Sequence, residues 1–131
     1  MRRSIGLTLL QRTAGMLAGY YVHRASALWL GAFDGVAPAA PTGLWLTVAP
    51  LAIAALVAGY VATLISGGST RTARLLGIAL AVVAILATLQ RLEQGLPLLT
   101  RQVAQIVTSP LCAAGGLLME RHRALWQRRA R

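Results

Sequence analysis

Leu44–Ser66, LWLTVAPLAIAALVAGYVATLIS, runs for 23 residues without a charged side chain. At about 1.5 Å per residue, a helix of that length covers the roughly 30 Å hydrocarbon core of a bilayer. A second apolar run, Leu75–Leu89, follows after the short loop Gly67–Arg74, whose only charges are Arg71 and Arg74. The junction Gly67-Gly68-Ser69-Thr70 is a strong turn signal, so the two runs predict an antiparallel helical hairpin in lipid. The fold class that follows is an all-α integral membrane protein.

Small residues recur three and four positions apart within this hairpin. The second predicted helix, about 44–66, carries Ala52, Ala55, Gly59, Ala62 and Ser66, and the third, about 73–90, carries Ala73, Gly77, Ala81, Ala84 and Thr88. A face without side-chain bulk lets two helix backbones approach closely. Ala52, Ala55, Gly59, Ala62, Gly77, Ala81 and Ala84 are therefore the expected packing residues of a tight hairpin. Pro50 either marks the start of the second helix after Thr47 or bends it, and Gly95 with Pro97 closes the third.

The flanking segments are less uniform. A first helix, about 5–33, is mostly apolar but contains Arg12, His23 and Arg24, and an arginine at membrane depth costs several kcal/mol, so it would not insert alone. Trp29 and Phe33 before the Pro/Gly-rich crossing Asp34–Gly43, with Trp45 after it, have the placement of aromatic anchors at one interface. A fourth segment, about 98–119, has no charge between Arg101 and Glu120, and its polar residues gather on one side. Ser109-Pro110 inside it can open a new helix, with Ser as cap and Pro at the first helical position. The chain thus reads as one membrane domain, 1–131, of four helices (about 5–33, 44–66, 73–90 and 98–119) and a basic tail, 120–131. Two spans, about 44–66 and 74–90, are the firm ones. In a competing two-span arrangement the flanking helices lie on the membrane surface.

Composition agrees with a membrane setting, at 56% hydrophobic and only 12% charged residues. The formal charge of +10 comes from 13 basic residues, all arginine, against Asp34, Glu93 and Glu120. The arginines cluster at the ends of the apolar segments, which is the pattern of residues held on the cytoplasmic side or against anionic headgroups rather than on nucleic acid. The N- and C-termini are accordingly expected in the cytoplasm, with the chain in a bacterial inner membrane. Ser4–Leu10 is too short for the apolar part of a signal peptide, so Met1 is expected to be retained. Cys112, the single cysteine, excludes an intrachain disulfide and a CxxC pair.

Chemistry-bearing clusters are few. Tyr20, His23 and Arg24 form a possible polar cluster at membrane depth, set against the plainer reading of a shallow helix with Arg24 reaching the interface. His122 lies in the charged tail and is not expected opposite His23, so a haem is not expected. No acid sits mid-membrane as an ion carrier would require, and neither paired carboxylates, a Ser/His/Asp set nor a GxxxxGK loop is present. No catalytic, cofactor-binding or metal site is expected. Arg121, Arg123, Trp126, Arg128, Arg129 and Arg131 are expected to meet anionic lipid or an acidic partner, or to set the topology.

Gly/Ala-rich helices, a basic loop after the second, Pro110 with Gly115-Gly116 in the fourth, and a basic tail make a layout similar to that of small four-helix bacterial inner-membrane proteins. The likeness is organisational and implies no residue roles. The expected function is that of a non-enzymatic accessory or structural subunit of a secretion, transport or respiratory assembly, joined to itself or to other membrane proteins. A phage holin-like pore former and a pilin-like subunit are the alternatives.

Overall fold

The computed structural model describes residues 2–29, 41–96 and 100–130, with side chains from 5–29, 47–96 and 100–130. The described residues form helices only: α1 (Arg2–Trp29), α2 (Pro41–Ile65), α3 (Thr70–Glu93), α4 (Thr100–Thr108) and α5 (Leu111–Arg129). Phe33, Asp34, Pro97, Arg131 and the side chain of Trp45 lie outside the described residues. So does the expected crossing, except that Pro41–Gly43 form the first turn of α2.

Among the described residues three stretches are long and apolar enough to cross a membrane: Thr47–Ile65, Thr70–Glu93, and Thr100–Arg129 taken through α4 and α5. The second predicted helix starts earlier than expected, because Pro41 needs no hydrogen-bonded N–H at a first helical position and Pro50 is carried within the helix. The fourth is corrected in two ways: it is broken into α4 and α5, and the tail is helical through Arg129. Pro110 causes the break, since it has no N–H to give to Ile106. The Ser109 hydroxyl donates back to the Ile106 carbonyl at 2.8 Å and does not cap α5.

Glycine ends α2 and α3 in the same manner. Gly67 and Gly95 sit at φ +75 and +69, left-handed conformations that cost an L-residue about 1–2 kcal/mol. Gly68 N–H then reaches the Thr63 carbonyl at 2.8 Å and Leu96 N–H the Arg91 carbonyl at 2.9 Å, closing each helix on its own last turn. Thr88 and Thr108 donate to the carbonyls of Ala84 and Ala104, four residues back, at 2.7 and 2.8 Å. Thr88 and Thr108 are thus satisfied within their own helices, whereas the buried hydroxyls of Thr63 and Thr72 have no hydrogen-bond partner.

The helices form one bundle around α2. On α1, Gly15, Gly19, His23 and Ala27 are buried at four-residue intervals, and a Cβ at Gly15 would stand 2.7 Å from the Ala62 carbonyl, one at Gly19 3.0 Å from that of Ala58. Helix α1 therefore runs antiparallel to α2 over most of its length. On the other side α4 and α5 run parallel to α2: Ala104 packs with Leu51 and Ala54, Cys112 with Ala55, Ala58 and Ala62, and Gly116 against Thr63 and Ala73. A Cβ at Gly59 would fall on the Cys112 carbonyl, and one at Gly115 on the Leu56 carbonyl. Helix α3 returns alongside, with Gly77 facing the Ser109 carbonyl. The expected hairpin contact is present, with Ala55, Ala58 and Ala62 of α2 packed against Leu76 and Leu80 of α3, but the approaches to backbone distance are those of α2 with α1 and α5 and of Gly77 on α3 with the α4–α5 elbow.

These crossings leave no room for a side chain between backbones. Gly59→Ala or Gly115→Ala is expected to lower stability by about 1–3 kcal/mol, measured by denaturant unfolding in detergent micelles. Gly6→Ala, with open space around it, is expected to be neutral or stabilising by up to about 1 kcal/mol.

Candidate functional site

One end of the bundle gathers three separate parts of the chain. The α2–α3 turn lies there, with the Gln11 side chain of α1 beside Gly67 and the Arg123 side chain of α5 beside Gly68. Arg123 Nη1 donates to the Gly67 carbonyl at 3.0 Å, a favourable place for a cation because the carbonyls at a helix C-terminus carry partial negative charge. One turn of α5 lies alongside α2 here, and His122 Nδ1 and Tyr60 Oη share a hydrogen bond of 2.8 Å whose donor is set by the imidazole tautomer. The Trp126 ring follows on the same side, its centroid 6.1 Å from that of His122. The tail is thus docked on the bundle as far as Arg123 and continues as an exposed helix beyond it.

Charge converges with these elements. Arg2, Arg3 and Arg12 come from the start of α1, Arg71 and Arg74 from the start of α3, and Arg121, Arg123, Arg128 and Arg129 from α5. Arg71, Arg74, Arg121, Arg128 and Arg129 are exposed, and Glu120 is the one described acid on this side. The opposite end holds Arg24 near the end of α1, Arg91 at the end of α3 and Arg101 at the start of α4. Exposed tryptophans mark both ends, Trp29 at 92% and Trp126 at 67% of full exposure.

The possible polar cluster is divided between the interior and the surface of the bundle. Consecutive residues on a helix point about 100° apart, which parts the buried His23 from the exposed Arg24, and Tyr20 and Tyr21 are exposed as well. Tyr20 and Tyr21 meet edge to face, with centroids 5.9 Å apart. His23 faces the interior, where its Nδ1 has no hydrogen-bond partner and the guanidiniums of Arg24 and Arg101 are its charged neighbours. Among the described residues no three His, Cys, Asp or Glu side chains gather as they would around a metal ion.

Of the expected packing residues, Ala55, Gly59, Ala62, Gly77 and Ala84 are buried, while Ala52 and Ala81 are half-buried on the flanks of their helices. Gly15 and Gly19 belong to the same packing, and their four-residue repeat through Ala27 is visible in the sequence although Arg12 and Arg24 obscure it. The Tyr60–His122 pair had no such signal, because its members are 62 positions apart. No family model, no curated protein and no solved structure matches the chain.

Arg123→Ala is expected to cost about 0.5–1.5 kcal/mol and to speed hydrogen exchange at amides of the α2–α3 turn. Arg128→Ala, which removes the same charge farther along α5, should leave that exchange unchanged.

Proposed function

We propose that this chain is a small non-enzymatic protein of a bacterial inner membrane, with both termini cytoplasmic, serving as a structural or accessory subunit of a larger membrane assembly. The observation that carries this reading is how the interior is filled. Backbone lies against backbone where α2 crosses α1 and α5, at Gly15, Gly19, Gly59 and Gly115. Packing of that kind makes a stiff scaffold with its exposed apolar side chains directed outward, at Ile53, Leu64, Ile78, Val83 and Leu86 among others.

Orientation is argued from charge. Arginine excess belongs on the cytoplasmic side, and the end that gathers the start of α1, the α2–α3 turn and the tip of α5 is the richer one. In this topology α1, α2, α3 and α4–α5 are the four crossings. Arg12 and Arg24 then stand about 18 Å apart along α1, within reach of the two interfaces through their long side chains. Trp29 and Trp126 take the two headgroup layers.

Single cysteines at Ser69 and in the 34–40 segment, each in a Cys112→Ser background, test the topology with a membrane-impermeant thiol reagent on intact cells. Labelling of the 34–40 position alone is the expected outcome, and labelling of Ser69 alone would replace this reading with the two-span arrangement. Induced expression tests the function: a subunit is tolerated and copurifies with other membrane proteins. Abrupt growth arrest with inner-membrane permeabilisation would instead identify a holin-like pore former.

A further inference from the structure

An apolar groove of about 250 Å³ opens on the outer face of the bundle between α3 and the α4–α5 elbow. Gly77, Ile78 and Ala81 form one wall, Pro110 and Ala113 the other, and Arg74 stands at its mouth. The groove exists because of the kink. Pro110 separates α4 from α5, and Gly77 lets α3 lie against this elbow, where a Cβ would stand 2.8 Å from the Ser109 carbonyl. Ser109 also borders the groove, but its hydroxyl is already given to the Ile106 carbonyl, so the floor offers little to a polar ligand.

The charge at the mouth is as informative as the apolar floor. Arg74 is exposed and immediately precedes the uncharged run Leu75–Leu89, so it marks the level at which hydrocarbon begins. From Arg74 the groove follows α3 to Ala81, about 10 Å along the helix axis. Glu120, seven residues beyond Ala113 on the same side of α5, lies about 10 Å farther out, so the charge met at the mouth is that of Arg74. We propose that this groove is a lipid-binding site that takes one acyl chain of an anionic phospholipid, whose phosphate pairs with Arg74. A hydrocarbon chain suits the apolar walls, and a guanidinium is a bidentate partner for phosphate at headgroup depth.

The proposal rests on the membrane reading above, and one preparation tests the two separately. Recovery of the protein in alkali-washed membranes checks the membrane reading. Native mass spectrometry of the detergent-extracted protein, titrated with phosphatidylglycerol and with phosphatidylcholine of the same acyl composition, then checks the groove. The first phosphatidylglycerol is expected to bind about fivefold more tightly than phosphatidylcholine, the effect of one charge near the surface. Arg74→Gln should reduce phosphatidylglycerol to the phosphatidylcholine level, Ala81→Leu should weaken both lipids, and Arg128→Gln should change neither.

Retained selectivity in Arg74→Gln would overturn the proposal even if Ala81→Leu fails to fold. A dimer that Ala81→Leu dissolves while lipid binding stays constant would show a second copy of the chain in the groove instead, and would equally overturn it.

Discussion

Everything in this bundle depends on α2 being approached to backbone distance from two sides. Gly59 and Gly115 bring the carbonyls of Cys112 and Leu56 against the opposing helix, and Gly15 and Gly19 do the same for α1. In lipid there is little hydrophobic gain from helix association, because the tails are as apolar as leucine side chains. On the membrane reading proposed above, close packing supplies the attraction instead. Dispersion falls off within an ångström of the optimum separation, so helices that touch along their backbones gain far more than helices held apart by branched side chains. Most of the large apolar residues are correspondingly turned outward, while alanine, glycine and threonine fill much of the centre around the buried Leu51, Leu76 and Leu80.

That crossing also determines what stands at the ends. Because α5 lies parallel to α2 in register from Gly59 onward, His122 arrives at Tyr60 and Arg123 at the Gly67 carbonyl. The tail as far as Arg129 is then an extension of a packed helix rather than a free basic segment, and it carries Arg121, Arg128 and Arg129 at the end of the bundle where α3 begins with Arg71 and Arg74. The elbow at Ser109–Pro110 follows from the same constraint: α4 stays with α1 and α2 around Ala27, Leu51 and Ala104, while α5 leans onto α2 and α3. The gap left on the outer side of the bend is the groove headed by Arg74.

Much of the architecture was legible from local pattern. The uncharged runs of α2 and α3, the Gly67-Gly68 turn and the break at Pro110 are each written in a few adjacent residues. Their effects act within one or two turns. Less legible was the partner of each small-residue face. Ala55, Gly59 and Ala62 announce that something packs closely on α2, yet any helix with a matching face would satisfy them, and α3 is the nearest in sequence. The structure shares that face between Leu76 and Leu80 of α3 and the helices α1 and α5, and only at α1 and α5 do Gly15, Gly19 and Gly115 remove the side chain altogether, while on α3 a single glycine, Gly77, serves the elbow. Helix α1 was obscured because Arg12 and Arg24 lower its apolarity, although its buried stripe is as regular as that of α2. The parting of His23 from Arg24 was implicit in the helical repeat, since adjacent residues point about 100° apart, whereas which of them faces the interior depended on the helices packed against α1.

The amino-acid order alone determined that this chain is helical, where α2 and α3 turn into each other, and that lipid is the solvent its composition suits. Those properties depend on runs and periods, which a helix expresses whatever surrounds it. Only the tertiary structure decided which ridge lies in which groove, that a histidine and a tyrosine 62 positions apart share a hydrogen bond, and that arginines from three helices stand at one end. Such pairings arise from competition among several acceptable neighbours, settled by tenths of an ångström at the crossings of α2, and no short stretch of sequence contains that comparison.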